Sequence, residues 1–150
     1  MATDGAARGN PGPAGIGAVV LDESGRTVTE IARGIGVATN NVAEYTAAIE
    51  GLKAAADRGA RTVLLRSDSR LLIEQLAGRF RVKAPTLQRL HEEARRVMDR
   101  FDDVALAHVR RELNAHADRL ANRGVDEWLA GEGRDYEPPE PSPPLFGPGD

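Results

Sequence analysis

The hydrophobic residues of the chain change their spacing several times, and each change marks a predicted element. Residues 16–21 (IGAVVL) form a short apolar run that a turn at residues 23–25 connects to residues 27–35, which predicts a β-hairpin. From Asn41 the apolar residues recur at helical spacing, beside a stripe of small residues, until Gly59 ends the pattern. The pattern therefore predicts a long helix that starts at Asn41.

The second half of the chain continues this alternation. Residues 62–66 (TVLLR) are apolar on both sides, which predicts a central strand covered on two faces. The elements predicted after it are a short helix at 71–77, a basic loop at 78–85, a helix at 87–101, a strand at 104–109 and a last helix that begins at Asn114. With a first strand near Asp4, this order predicts an α/β domain with a mixed sheet and helices on its faces.

The last twenty residues have a different composition. Residues 131–150 contain six prolines, five acids and one base, with little apolar surface. We therefore expect a disordered tail or linker after a domain of residues 1–130. The whole chain has a formal net charge of −3, but residues 1–130 carry 19 basic and 18 acidic side chains. The acidic net charge does not exclude nucleic acid as a partner.

Composition narrows the chemistry that the chain can perform. It has no cysteine and three histidines, so a metal would be held by oxygen atoms or by histidine, which favours hard cations. No apolar segment approaches the length that spans a bilayer. These features predict a soluble cytoplasmic protein that does not enter a membrane.

Four carboxylates are candidate metal ligands, although each also has a local structural explanation. Asp4 could belong to a turn, and Glu44 could complete a capping box at the start of its helix. Asp68 could cap the helix that follows its strand, and Asp118 could favour the positive end of the last helix. Both readings are open for each residue taken alone.

The predicted elements bring the four carboxylates to one end of the sheet. Asp68 follows the carboxyl end of the predicted central strand, where open α/β sheets form ligand sites. Glu44 and Asp118 lie in the predicted first turns of helices that can pack on the sheet, and Asp4 reaches the same end if its strand is central or antiparallel. Clustered carboxylates repel one another, so we expect this cluster to bind hard divalent cations.

Four segments resemble, in the same order, the motifs of type 1 ribonuclease H. They are residues 3–20 (TDGAARGNPGPAGIGAVV), 39–52 (TNNVAEYTAAIEGL), 67–76 (SDSRLLIEQL) and 108–122 (HVRRELNAHADRLAN). The resemblance covers residues 3–130. It implies a ribonuclease H-like fold, which is an α/β architecture with a mixed five-stranded sheet and helices on both faces.

The resemblance also implies an activity and a cofactor. The family hydrolyses the RNA strand of RNA/DNA hybrids by two-metal-ion catalysis, as an endonuclease that leaves 3′-OH and 5′-phosphate ends. Asp4, Glu44, Asp68 and Asp118 would hold two Mg²⁺ or Mn²⁺ ions. Oxygen ligands suit these cations, which must also coordinate water and the substrate phosphate.

Further residues fall where family members contact the hybrid. Gly5, Asn10, Asn40 and Asn41 would meet the minor groove and the ribose hydroxyls, and Thr39 would hold a DNA phosphate. Amide groups can donate to and accept from a 2′-OH, the group that distinguishes RNA from DNA. For the two adjacent asparagines, helix capping is the alternative.

The chain departs from the family pattern at its start and in its basic loop. Only three residues precede Asp4, so either the first strand is short or the sequence starts inside it. The basic protrusion that some members use to grip the hybrid is replaced by residues 78–85 (GRFRVKAP). Arg79, Arg81 and Lys83 would be partial substitutes, and a solvated loop without a role is the alternative.

A third departure concerns the loop before the fourth carboxylate, which is short where many members carry a mobile catalytic histidine. Alternation with Leu106 places His108 inside the last predicted strand, which favours a structural role. Arg111 is the predicted functional replacement, holding the scissile phosphate or assisting product departure. An ion pair with Glu112 or another surface acid is the alternative.

Two other functions stay open at this point. One is a non-catalytic module that binds RNA/DNA hybrid, which the complete set of four carboxylates disfavours. The other is the nuclease portion of a larger bifunctional nuclease/phosphatase, which a Pro-rich linker would fit. We expect a monomer in either case.

Overall fold

The computed structural model describes residues 1–139, and their strands and helices follow the predicted order. The strands are β1 (Ala2–Ala7), β2 (Gly12–Leu21), β3 (Thr27–Ala38), β4 (Thr62–Ser67) and β5 (Asp103–His108). The helices are α1 (Asn40–Asp57), α2 (Arg70–Leu76), α3 (Pro85–Met98) and α4 (Ala115–Ala130), with a 3-10 turn at Arg111–Asn114 before α4. The predicted strands were too short mainly in the hairpin. The glycine and proline residues at the start of β2 are not typical of strands, so the prediction began at residue 16 instead of Gly12.

The five strands form one mixed sheet in the order β3-β2-β1-β4-β5. β1 is antiparallel to β2 and parallel to β4, and β4 is parallel to β5. The short first strand is therefore the central one, and the Arg66 N–H donates to the Met1 carbonyl at 2.9 Å. The mixed five-stranded sheet predicted from the sequence is confirmed.

β4 is not the central strand, and only one of its faces is covered. Leu65 is fully buried on the side of α1, whereas Leu64 is 44% exposed on the other side. The prediction of a central strand covered on both faces was wrong, because α4 packs on β1, β2 and β3 and does not extend over β4. An apolar run can occupy a half-open strand as well as a closed one.

The helices lie on both faces of the sheet. α1 and α3 share a core with β4 and β5, centred on Tyr45, Leu52 and Leu65. On the opposite face α4 comes so near the hairpin that a Cβ on Gly17 would overlap the backbone of Ala117. Other glycines in this contact that leave no space for a Cβ are Gly15, Gly34 and Gly124.

The ordered contacts continue beyond Ala130. The Gly133 N–H donates to the Trp128 carbonyl at 2.7 Å, and the Tyr136 ring lies 6.1 Å from the Trp128 ring. The predicted boundary at residue 130 therefore falls several residues before the last contacts on the domain. Most of the predicted tail, residues 140–150, lies outside the described residues.

Within residues 1–139, none of the helices has both the length and the apolar character that crossing a membrane would need.

Candidate active site

Three carboxylates converge where β1, the end of β4 and the beginning of α1 come together. Asp4 lies in β1, Glu44 in α1, and Asp68 directly after β4, and one oxygen atom from each lies within 4.8 Å of the other two. Asp118, in the first turn of α4, lines the same cleft, whose volume is about 400 Å³. The structure thus brings all four predicted ligands to one cleft, with Asp118 outside the group of three.

The start of α1 differs from the prediction. Thr39 is the N-cap, with extended backbone and a hydroxyl that accepts from the Val42 N–H at 3.2 Å, so helix capping does not explain Asn41. The helix begins earlier because β3 leads into it almost directly. Glu44 consequently lies in the second turn rather than the first and has no capping role.

A close contact between β1 and α1 fixes the distance between Asp4 and Glu44. A Cβ on Gly5 would overlap the backbone of Ala43 and Glu44. Glycine at this position lets the two backbones touch, which a larger residue would prevent. This gives Gly5 a structural role, and its contact with substrate stays a prediction.

Asp68 is held beside the cluster by its neighbours. The Ser69 hydroxyl accepts from the Leu72 N–H at 3.2 Å and caps α2, so capping does not explain Asp68. The His108 Nε2 lies 3.3 Å from the Asp68 carbonyl oxygen. His108 lies in β5 as predicted, as its last residue, but it is exposed, so its burial does not support the structural role that the strand position favoured. The strand ends there, and the ring lies next to Asp68, which lines the cleft.

Burial and mutual repulsion disfavour the charged forms of the inner carboxylates. Asp4 and Glu44 are each 5% exposed. Burial, then the charges of Glu44 and Asp68, raises the pKa of Asp4 far above its usual range, and burial is also the main cause that raises the pKa of Glu44 to about 7. Among the described residues, the Glu44 Oε2 atom is buried without a hydrogen-bond partner. A bound cation would satisfy this atom and relieve the repulsion.

The outer carboxylate, Asp118, is supported from α4 and from the β1–β2 loop. The Asn122 side-chain amide donates to the Asp118 carbonyl at 3.0 Å and approaches its carboxylate at 3.4 Å. The Arg8 guanidinium donates to Asn122 and forms an ion pair of 2.7 Å with Asp126. This chain of contacts holds the start of α4 near the loop that follows Asp4.

The 3-10 turn that carries Arg111 is tied to the central strand. Asn114 stands at the N-cap of α4, but its buried side-chain amide donates to the Thr3 carbonyl at 2.9 Å and does not cap the helix. Arg111 is exposed and lines the cleft. Within residues 1–139 it forms no ion pair, so the alternative of pairing with Glu112 finds no support.

The remaining predicted substrate residues divide into two places. Asn40 lines the cleft, and its N–H donates to the Asn10 side chain at 3.0 Å, which joins the β1–β2 loop to α1. Asn41 is exposed beside it, and Thr39 is half-buried. Their contacts with substrate stay predictions. The basic-loop residues lie beyond α2: Arg79 is paired with Glu74, whereas Arg81 and Lys83 are exposed.

Three polar residues of the cleft were not among the predicted site residues: Arg8, Ser69 and Asn122. Ser69 follows Asp68 directly in the chain. Asn122 is four residues after Asp118, so these two residues share one face of α4. That spacing was the available signal. Arg8 had none, because its contacts are with residues more than 110 positions away.

Comparison with known proteins places the chain among relatives of one kind. A family model described as reverse transcriptase-like matches residues 2–124. A Halobacterium salinarum protein named ribonuclease HI is 47% identical over 83% of this chain and 62% of that protein. A Mycobacterium tuberculosis protein whose name describes it as bifunctional is 43% identical over 90% of this chain and 37% of that protein. The chain thus spans less than two thirds of these relatives.

Solved structures give the same result. The RNase H1 of Halobacterium salinarum has a TM-score of 0.82 at 46% identity, covering 84% of this chain and 96% of that one. LC11-RNase H1 in complex with RNA/DNA hybrid has a TM-score of 0.81 at 43% identity, covering 85% and 96%. The matches define an α/β protein of the ribonuclease H-like fold. More particularly, the chain belongs to the type 1 ribonuclease H family, which confirms the resemblance seen in its four segments.

Proposed function

We propose that this protein is an endonuclease that hydrolyses the RNA strand of RNA/DNA hybrids and leaves 3′-OH and 5′-phosphate ends. The observation that carries the proposal is the convergence of Asp4, Glu44 and Asp68 within 4.8 Å, with Asp118 lining the same cleft. Family membership supports the substrate, and the related LC11-RNase H1 was solved in complex with RNA/DNA hybrid.

The four carboxylates fit a site for two Mg²⁺ or Mn²⁺ ions. All the side chains offered are hard oxygen donors, and the unpartnered Glu44 Oε2 is a buried acceptor that requires a cation or a proton. The raised pKa values of Asp4 and Glu44 show the cost of leaving these charges uncompensated. Bound divalent cations would lower the pKa of the attacking water and stabilise charge on the leaving 3′ oxygen.

The protein itself contributes placement and charge. The contact of Gly5 with α1 fixes Asp4 against Glu44, and the Ser69 cap leaves Asp68 available to the cleft. Arg111, unpaired within the described residues, is available to hold the scissile phosphate, and its planar fork suits phosphate oxygens. Asn40 lines the cleft and its N–H donates to the Asn10 side chain, which supports the proposal that the amides of these two residues contact the ribose hydroxyls of the RNA strand.

The proposal also covers the oligomeric state and the cellular location of the protein. We propose that the protein acts as a monomer in the cytoplasm. A second candidate, the nuclease portion of a larger bifunctional enzyme, is favoured by one observation: the chain spans 37% of a mycobacterial relative whose name calls it bifunctional. The size of the native protein in cell extract distinguishes a nuclease domain on its own from the nuclease portion of a larger enzyme. A non-catalytic hybrid-binding module is disfavoured by the complete carboxylate set.

Labelled RNA/DNA hybrid, duplex RNA and duplex DNA, each with Mg²⁺, Mn²⁺ or EDTA, test the proposal. Only the hybrid should be cut, only with a divalent ion, and end analysis should find 5′-phosphates. Asp68→Asn should abolish cleavage with the fold intact, because a neutral amide is a poor ligand of nearly the same size. Asp102→Asn, at an exposed acid paired with Arg61 outside the cleft, is the matched control. Normal cleavage by folded Asp68→Asn would remove the two-metal proposal.

A further inference from the structure

In the segment between α2 and α3, residues 78–84, the N–H groups of residues 78–80 donate to backbone carbonyls of α2, whereas the carbonyls of residues 81–83 accept from side-chain amides. We call this segment the α2–α3 loop. The Gln75 amide donates to the Arg81 carbonyl at 3.1 Å, and the Gln88 amide donates to the Val82 and Lys83 carbonyls at 3.0 and 3.3 Å. Three consecutive carbonyls of the loop are therefore turned toward two glutamines, one on each flanking helix.

This arrangement determines which side chains face outward. Val82 is half-buried beneath the loop, whereas Arg81 and Lys83 on either side of it are exposed. With the carbonyls of these three residues anchored, the two basic side chains are presented together toward solvent.

Gln75 is itself rigidly oriented. Its side chain is 5% exposed, and its Oε1 accepts from the Tyr45 hydroxyl at 2.6 Å in the core. Burial raises the pKa of Tyr45 to about 12, so the hydroxyl stays a donor. With its oxygen so engaged, the amide nitrogen of Gln75 is directed at the loop. The His91 ring, edge-on to Tyr45, also reaches the Gln75 carbonyl at 3.1 Å.

The α2–α3 loop follows the end of α2 that is remote from the cleft, approaches the start of α2 through Phe80, and carries unneutralised charge. The Arg70 guanidinium lies 6.0 Å from the centre of the Phe80 ring, and Arg70 directly follows Ser69, which lines the cleft. The Arg79 charge is compensated by a two-contact pair with Glu74. Within residues 1–139, Arg81 and Lys83 form no ion pair, so their charges are available to an anionic partner.

We propose that Gln75 and Gln88 are positioning residues that hold Arg81 and Lys83 toward the backbone phosphates of a bound hybrid beside the cleft. The inference rests on the proposed function for its substrate. Phosphate contacts of this kind strengthen binding without reading sequence, and they make binding dependent on salt. Gln75 and Gln88 need not touch the nucleic acid to affect its affinity.

Gln88→Ala is the main test, because Gln88 is exposed and its loss should not disturb folding. Equilibrium binding of labelled hybrid in EDTA, over a range of salt concentrations, is measured beside KM and kcat with Mg²⁺. Gln88→Ala should weaken binding and raise KM by about three- to tenfold, reduce the salt dependence and leave kcat within about twofold. Thr86→Ala, an exposed neighbour on α3, should match the wild type.

A double-mutant cycle separates positioning from general loosening of the structure. In a background of Arg81→Ala and Lys83→Ala, Gln88→Ala should have no further effect on affinity or salt dependence. An equal effect in both backgrounds would overturn the proposal, as would wild-type affinity and salt dependence in Gln88→Ala itself.

Gln75→Glu is the second variant, because it keeps the acceptor for Tyr45 but cannot donate to the Arg81 carbonyl. It should reproduce the Gln88→Ala phenotype, and wild-type binding by the folded variant would refute the role of Gln75. If melting shows that Gln75→Glu is unfolded, the Gln88 cycle decides alone. Absence of cleavage by the wild type would overturn the proposed function, whereas the binding cycle in EDTA would still judge the positioning role.

Discussion

The buried carboxylates predict that removing one charge stabilises the metal-free protein. Burial raises the pKa of Glu44 from 4.5 to about 7, so the folded protein binds more protons than the unfolded chain between these values. Its stability should therefore fall as the pH rises from about 4.5 to 7, because stability decreases with pH wherever the folded state holds the extra proton. Asp4, whose pKa is also raised, should extend the decline to higher pH.

Glu44→Gln should abolish the contribution of Glu44 to this decline. A shift from 4.5 to about 7 corresponds to at most about 3 kcal/mol at pH 8. In a domain of this size, that free energy raises the melting temperature by at most about 10 °C. Near pH 4.5 the variant should gain nothing, because Glu44 is then protonated in the folded wild type.

Thermal unfolding in EDTA at pH 5 and pH 8, repeated with Mg²⁺, measures the effect. Mg²⁺ should stabilise the wild type more than Glu44→Gln, because the variant has lost one anionic ligand. Glu127→Gln, on the exposed face of α4, is the control and should change stability by less than about 0.5 kcal/mol at either pH. A Glu44→Gln protein that is no more stable than the wild type at pH 8, or that gains equally at pH 5, would refute the reasoning.

Three further predictions follow from the cleft and from the end of the domain. Arg111→Ala should lower turnover by at least about tenfold, or about 1.4 kcal/mol, without changing the melting temperature, and Arg111→Lys should restore only part; unchanged turnover would contradict a phosphate contact. Asn122→Ala should weaken calorimetric Mn²⁺ binding several-fold because Asp118 loses its support, while Arg123→Ala one residue along the helix should not; equal titrations would exclude that role. Deleting residues 138–150 should preserve the melting temperature, whereas deleting residues 132–150 should lower it by several degrees because Trp128 loses Gly133 and Tyr136; coincident melting curves would show that these contacts carry no stability.

The sequence predicted the element order because the spacing of apolar residues is a local property. It failed where a second element decides the outcome. Asn41 is as good an N-cap as Thr39 in isolation, but the end of β3 sets the start of α1 and makes Thr39 the cap. Leu64 is as apolar as a residue covered on both faces, yet α4 stops short of it.

The site shows the same division. The four carboxylates stand in motifs that can be read along the chain, so their grouping could be anticipated. The support of Asp118 by Asn122 and Arg8 depends on contacts between the β1–β2 loop and α4, and no periodicity reports such a pair. Asn114 precedes α4, as the predicted start of that helix indicated, but its amide donates to the Thr3 carbonyl and does not cap the helix. In both cases a hydrogen-bond partner distant in sequence, and not local propensity, determines the contacts of the side chain.

The glycine-lined contact between α4 and the hairpin has a consequence for how the protein tolerates genetic variation. Asp118 is carried by α4, whose separation from β2 and β3 is set by backbone touching backbone at Gly15, Gly17 and Gly34. A single added methyl group there must push the helix outward, and the carboxylate moves with it. An unbiased library screened for loss of activity should therefore recover alanine substitutions at the hairpin glycines, which contact α4. A map of the positions where substitution removes activity would include the contact of α4 with the sheet as well as the residues of the cleft.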